Sequence, residues 1–221
     1  VFQYVPECYI EAMVDSFHAL RRGDPQFATF PAMPDLSLDD LITCLVRHFS
    51  DTRIVNPDVR DIILQSMSMM LQHEQFVPAF EGNLSAKKGL VRKLLDSFDA
   101  RFWIPISNIL IRLCKGKGFG QGGTFTSDTF QARLRTSHSD EPEIFNNFMT
   151  RLFNMLNWTA TEFSVSIKEL LSSNMDHQQQ QRKCSIMFEL TCNLLRLIEF
   201  FAIQNPSCLV GGEDFEVKVP R

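Results

Sequence analysis

"ISNILIRLCKGKGFGQGGTFTSDTF", Ile106 to Phe130, is the stretch on which the fold turns. Glycine stands at 116, 118, 120, 122 and 123, and Gly118, Gly120 and Gly123 spell a literal GxGxxG. A dinucleotide-binding fold needs a strand before that pattern, a helix opening on its last glycine, and an acid roughly 20 residues further on to hold a ribose. Here Ile106, Ile109, Leu110 and Leu113 recur at helical spacing on the upstream side, and "TFTSDTF" opens no obvious helix downstream. A phosphate loop of the Walker type fails as well, because Lys117 is followed by Gly118 where a serine or threonine belongs. The glycines therefore read as slack between helices, and the fold reads as all-α.

Working outward, the same periodicity recurs on both sides. Ile10, Met13, Val14, Phe17 and Leu20 predict a first amphipathic helix that ends at Gly23. Pro25, Pro31 and Pro34 then imply an extended connector. Ser37 and Asp40 form a capping box for a second helix carrying Leu38, Leu41, Ile42, Leu45, Val46 and Phe49. Asn56 and Pro57 announce a third as N-cap and first helical residue, with Val59, Ile62, Ile63, Met67, Met70 and Leu71 as its core stripe. Further helices follow from Ser85 through Phe98 and from Trp103 to Cys114. Polar residues dominate Thr124 to Pro142, so residues 115–142 are expected to form one long mobile, glycine-rich and polar loop.

Beyond the loop, Ile144 to Leu156 returns to helical spacing, and Thr159 with Glu162 offers a capping box that predicts a break near Trp158. A last long helix runs from Asp176 until Asn205 and Pro206 stop it, with Met187, Leu190, Leu194, Leu197, Ile198 and Phe201 spaced for burial. This gives about eight helices in antiparallel pairs, an irregular armadillo- or HEAT-like stack without a fixed repeat length. The helical segment covers 1–205. Residues 206–221 alternate like a strand, and an extended tail leading out of the domain is expected there.

Composition narrows the function classes. The 221 residues are 44% hydrophobic and 22% charged, ordinary for a globular protein, and a net charge of -4 supplies no field to gather nucleic acid or an acidic membrane. No apolar run approaches the ~20 residues that cross a bilayer. The N-terminus has neither a basic leader nor an initiator methionine, so the chain reads as an internal segment. Cysteines at 8, 44, 114, 184, 192 and 208 form no CxxC pair, which points to free thiols in a reducing, cytoplasmic setting.

Candidate chemistry is sparse. Histidines 18, 48, 73, 138 and 177 are dispersed, and no HExxH, CxxH or GxSxG pattern occurs. Asp39 with Asp40, and Glu141 with Glu143, sit where carboxylates stabilise helix starts. Lys87, Lys88, Arg92 and Lys93 read as a solvated helix face, with an acidic partner patch as the alternative. Trp103, Phe119 and Phe125 flank the glycine run, where packing is a commoner role for aromatics than anchoring a peptide. No catalytic, cofactor-binding or metal-ligating residue is assigned.

Three stretches carry a family resemblance. "YVPECYIEAMVDSFHALRRGDP" (Tyr4 to Pro25), "HFSDTRIVNPDVRDIILQSM" (His48 to Met67) and "NNFMTRLFNMLNWTATEFSVSIKELL" (Asn146 to Leu171) are similar to the helical core of U-box ubiquitin chain-elongation factors, where an I-x-N-P segment likewise starts a helix. Taken as a whole, the chain resembles an internal region of the large RING-finger and SPRY-domain ubiquitin-protein ligases. The resemblance implies a non-catalytic helical scaffold that positions a protein substrate or partner subunit relative to a RING outside this chain. It implies as partners a ubiquitin-conjugating enzyme acting through that RING, an accessory ubiquitin-binding subunit and a protein substrate. Zinc is expected only in the RING, whose cysteines and histidines are not in this sequence. Two rival readings are a helical interaction module of an unrelated assembly and a small-molecule enzyme using the loop from Gly116 to Gly123.

Overall fold

The structure is a computed structural model and describes residues 6–23, 38–73, 76–115, 128–172 and 177–204. Among these residues there are nine α-helices and no strand. The fold is all-α, as the periodicity predicts. The connector with Pro25, Pro31 and Pro34, the glycine run with Phe119 and Phe125, and the tail 206–221 lie outside the described residues. The sequence reading takes 1–205 as one helical body, whereas the chain divides into two compact units, Val1–Phe130 and Gln131–Arg221.

In the first unit, α1 (Cys8–Gly23), α2 (Leu38–His48), α3 (Pro57–Met70), the short α4 (Val77–Gly82), α5 (Leu84–Asp96) and α6 (Trp103–Lys115) form two rows. Helix α3 packs between α1 and α6, while α2 packs on α5 and α4 touches both members of that row. Cross-contacts fix the directions. Asn83 bonds Asp39 and Thr43 at the start of α2, and Lys93 bonds the carbonyls of Val46 and Arg47 at its end, so α2 and α5 run the same way. Arg101 pairs with Asp58 and Arg60 lies over the Phe102 ring, which places the start of α6 beside the start of α3. Helices α2 and α3 thus each stack on the helix three places later, α5 and α6. That is how successive helix pairs add up to a solenoid-like stack.

Local chemistry explains where these helices begin. Asn56 Oδ1 accepts from the Asp58 amide at 2.9 Å and Pro57 supplies the first residue, the start expected from the sequence. The α5 cap differs from expectation. Asn83, not Ser85, accepts from the Ala86 amide at 2.9 Å, while its amide group donates to the Asp39 carbonyl, to Asp39 Oδ1 and to Thr43. An asparagine can cap and bridge at once because it carries both an acceptor and two donors, which serine cannot match. Pro105 sits in the first turn of α6, where its missing amide hydrogen leaves no helical bond unmade.

The second unit holds most of α7 (Asp128–Asp140), together with α8 (Pro142–Ser172) and α9 (His177–Gln204). Two expectations are corrected here. Residues 128–140 of the supposed mobile loop form α7, with Phe130, Leu134 and Ser137 buried at intervals of four and three. Two large apolar residues in that stripe are too few to stand out as a period in the sequence. No break occurs at Trp158, because Thr159 and Thr161 turn their hydroxyls back onto the carbonyls of Leu156 and Asn157 inside one continuous α8. A capping box is worth about 1 kcal/mol, and α8 keeps a long interface with α9 by ignoring it.

Candidate interaction surface

Several residues that suggest chemistry by type make structural contacts. His48 Nδ1 meets Asp51 Oδ2 at 3.1 Å, and Arg53 grips the same carboxylate at 2.6 Å. Arg53 first, and then its own backbone amide and His48, hold the Asp51 carboxyl well below the usual carboxylate range against the opposing effect of burial. Burial lowers the His48 pKa even though the Asp51 carboxylate pulls it upward. This cluster closes the turn between α2 and α3. Glu7 ties α1 to the same place, its carboxylate accepting from the amides of Val55 at 2.7 Å and Asn56 at 3.2 Å.

Lys93 departs from the solvated-face reading. Its Nζ donates to Val46 O at 3.1 Å and Arg47 O at 2.9 Å, over the Phe49 ring, so it caps the C-terminal end of α2 while Lys87, Lys88 and Arg92 stay exposed. Asp39 likewise receives Asn83, and Trp103 is buried in the core. Cys44, Cys184 and Cys192 are half-buried free thiols, and burial pushes the Cys44 thiol up, away from the thiolate a nucleophile needs. Cys8 is an exposed free thiol. Among the described residues no cluster of histidine, cysteine and carboxylate could hold a metal, and no helix is long and apolar enough to cross a membrane.

The feature that does stand out is a surface. Helices α8 and α9 form an antiparallel hairpin: Phe145 and Phe148 touch Phe201, Phe163 touches Phe188, and Glu169 bonds Lys183, so numbers climb on one helix as they fall on the other. Phe145, Leu152, Thr159 and Ser166 line the seam at intervals of seven, all buried, their side chains shrinking toward the far end. Thr159 and Ser166 satisfy their hydroxyls on the carbonyls of Leu156 and Glu162, at 3.1 and 2.7 Å, and their small size lets the helices approach closely.

Each helix also carries a second apolar stripe that the seam does not cover. On α8 it is Phe153, Leu156, Ala160, Phe163, Ile167 and Leu171; on α9 it is Cys184, Phe188, Thr191, Leu195, Ile198 and Ala202. Both recur at intervals of three and four, and none of the twelve is buried. The Phe163 and Phe188 rings, 5.5 Å apart, join the stripes into one face, while Lys183 reaches Glu169 at 3.2 Å and Glu162 at 4.0 Å along the other edge. Leu171 is 82% exposed, Phe188 54% and Leu195 49%. The sequence reading spaces Ile198 for burial, whereas it is only half-buried here. Its signal for a surface is the doubling of stripes on α9, more apolar width than one neighbouring helix can bury.

Comparison with known proteins accounts for this body of helices. Residues 146–218 match the family model described as RNF123-like, TPR repeat. The chain is 42% identical, over 99% of its length, to the E3 ubiquitin-protein ligase RKP of Arabidopsis thaliana, and it spans 17% of that relative. No solved structure matches it significantly. Over nearly its entire length the chain is therefore similar to a segment of an E3 ubiquitin-protein ligase, and its C-terminal third is similar to the RNF123-like TPR repeats.

Proposed function

We propose that this chain is a non-catalytic scaffold segment of a RING-type ubiquitin-protein ligase, holding a protein substrate or partner subunit at a set distance from a RING elsewhere in the polypeptide. The observation that carries the reading is 42% identity across 99% of the chain to an E3 ligase, in a segment where Asn83 caps a helix, Lys93 closes a helix end and Arg53 pairs with Asp51 in a turn. The mechanism is proximity. A stiff helical body raises the effective concentration of substrate lysines near the ubiquitin thioester without making or breaking a bond itself. The ubiquitin-conjugating enzyme engages the RING, an accessory ubiquitin-binding subunit joins the complex, and the assembly works in the cytoplasm.

The test breaks the strut and leaves the RING alone. In the full-length ligase, Thr159→Gly with Ala160→Pro interrupts α8 at its middle. The expected result is that RING-dependent discharge of ubiquitin from the conjugating enzyme stays at the parent rate while transfer to the substrate falls by about tenfold or more. Equal loss of both, or loss of neither, overturns the scaffold role.

A further inference from the structure

A cavity of about 330 Å³ lies between α3 and α6 within the first unit, at the lower end of the volumes that hold ligands. Asp61, Gln65 and Ser68 line it from one face of α3, at intervals of four and three, and Ile104, Pro105 and Asn108 line it from α6. Gln65 and Ile104 are exposed, so the cavity opens to solvent. Its polar walls have bonding capacity to spare. Ser68 is only 7% exposed, yet among the described residues its hydroxyl has no hydrogen-bond partner. Buried hydroxyls ordinarily find one, as Ser66 does on the Ile62 carbonyl at 2.7 Å. The half-buried Asn108 carboxamide is likewise unmatched among the described residues. Gln65 donates to Asp61 Oδ2 at 2.7 Å and keeps its carbonyl open.

Charge decides what fits. Arg101, the cation among the lining residues, is already paired with Asp58 and lies over the Phe102 ring. Asp61 pairs with no cation among the described residues, so the cavity keeps one uncompensated carboxylate. Beside it stand the Ser68 hydroxyl and the carbonyls of Gln65 and Asn108, all able to accept. A lysine ammonium brings donors for these acceptors on a slender stem, and Ile104 and Pro105 offer its methylenes an apolar wall. A guanidinium suits the site less, because its planar fork asks for both carboxylate oxygens and Gln65 already occupies Oδ2. The amide hydrogens of Asn108 are left for a peptide carbonyl next to the lysine. We infer that the α3–α6 cavity binds a lysine side chain presented by a protein partner, with Asp61 holding the ammonium and Ser68 and Asn108 adding hydrogen bonds. The site makes no use of the ligase role and is tested apart from it.

Nuclear magnetic resonance of the full, isotope-labelled chain tests it, with the blocked peptide acetyl-Ala-Ala-Lys-Ala-Ala-amide as probe at millimolar concentration. The side-chain amide signals of Gln65 and Asn108 report on the cavity directly. Both are expected to shift and saturate with the lysine peptide, and to stay in place with a norleucine counterpart that keeps the stem and drops the charge. Butylamine, an ammonium without a peptide, is expected to bind about tenfold more weakly. Asp61→Asn is expected to weaken the lysine peptide about tenfold, the factor that losing a charge-assisted hydrogen bond provides. Asn108→Leu, on the other helix, is expected to weaken it about threefold and carries the test should Asp61→Asn lower the folded fraction. Arginine, norleucine or glutamate counterparts that bind as tightly as lysine overturn the proposal. So do butylamine binding equal to the peptide's, an affinity unmoved by both variants, or signals that stay still throughout.

Discussion

Helices α5 and α9 begin from the same kind of amphipathic pattern and end in opposite states. On α5, Leu90, Val91, Leu94 and Leu95 are all buried, packed against α2 and α4, and the opposite side carries Lys87, Lys88 and Arg92. On α9, Leu194, Leu197 and Phe201 are buried while Phe188 and Leu195, one step around the same helix, stand half in solvent. Periodicity alone does not separate a core stripe from a docking stripe. The width of the apolar arc does: α5 has one stripe and one row of neighbours, and α9 has two stripes and one long partner. A helix with more apolar arc than its neighbours can cover advertises a further contact.

The largest expected effect breaks this comparison directly. Leu94→Ala removes a fully buried side chain from the first unit and is expected to destabilise it by about 2–5 kcal/mol in denaturant unfolding. Phe188→Ala, although it deletes a larger side chain, is expected to cost less than about half of that, because much of the ring already faces outward. Equal losses at the two positions would mean that the two faces do not differ.

The first unit was the more legible of the two regions for the same physical reason. Leu41, Ile42, Leu45 and Val46 on α2 and Val59, Ile63, Met67 and Met70 on α3 are core where their spacing puts them, and the methionines pack instead of forming a surface. What spacing did not show was set by few residues or by tertiary contact. Helix α4 is a single six-residue turn pair with one buried anchor, Phe80, and α7 has a stripe of two large apolar residues and a serine. The uninterrupted α8 depends on α9, which no local signal at Thr159 contains. For the candidate surface, the sequence reading counted Ile198 with the buried residues and passed over Phe188 and Leu195, because the choice of which side of α9 faces inward is made by the hairpin partner.

Asn83 sharpens the comparison at the level of polar groups, since it joins α5 to α2 in a way nothing on the open face of α9 needs to. Asn83→Ala is expected to lose about 1–3 kcal/mol, from the N-cap and from the partners left behind on Asp39 and Thr43. Asn83→Asp separates the two roles. It keeps an acceptor for the Ala86 amide and replaces a donor to Asp39 with a like charge, so a loss at least as large as in the alanine variant assigns the effect to the bridge. Recovery to near the parent value would assign it to the cap. Lys93→Met is a milder change, expected to cost about 1 kcal/mol: the stem keeps its place over Phe49 and the carbonyls of Val46 and Arg47 lose their donor.

The smallest effect is a pH dependence confined to the first unit, where His48 and Asp51 close the α2–α3 turn. Burial lowers the folded His48 pKa below its ordinary value of 6.5, so the unfolded chain takes up a proton at this site before the folded one does. Stability is therefore expected to fall as pH drops from neutrality through that value and to stop falling once the folded imidazole is also protonated. Asp51 has the corresponding carboxylate behaviour. Its folded pKa is depressed, so its contribution is complete above the unfolded carboxylate range and is lost only as pH falls through and below it. Two separated steps should appear in urea midpoints measured from pH 8 down to pH 3. His48→Gln, which keeps a polar group near Asp51 but does not titrate, is expected to erase the upper step and leave the lower one. A surviving upper step would place the proton uptake elsewhere and detach the turn from the pH response.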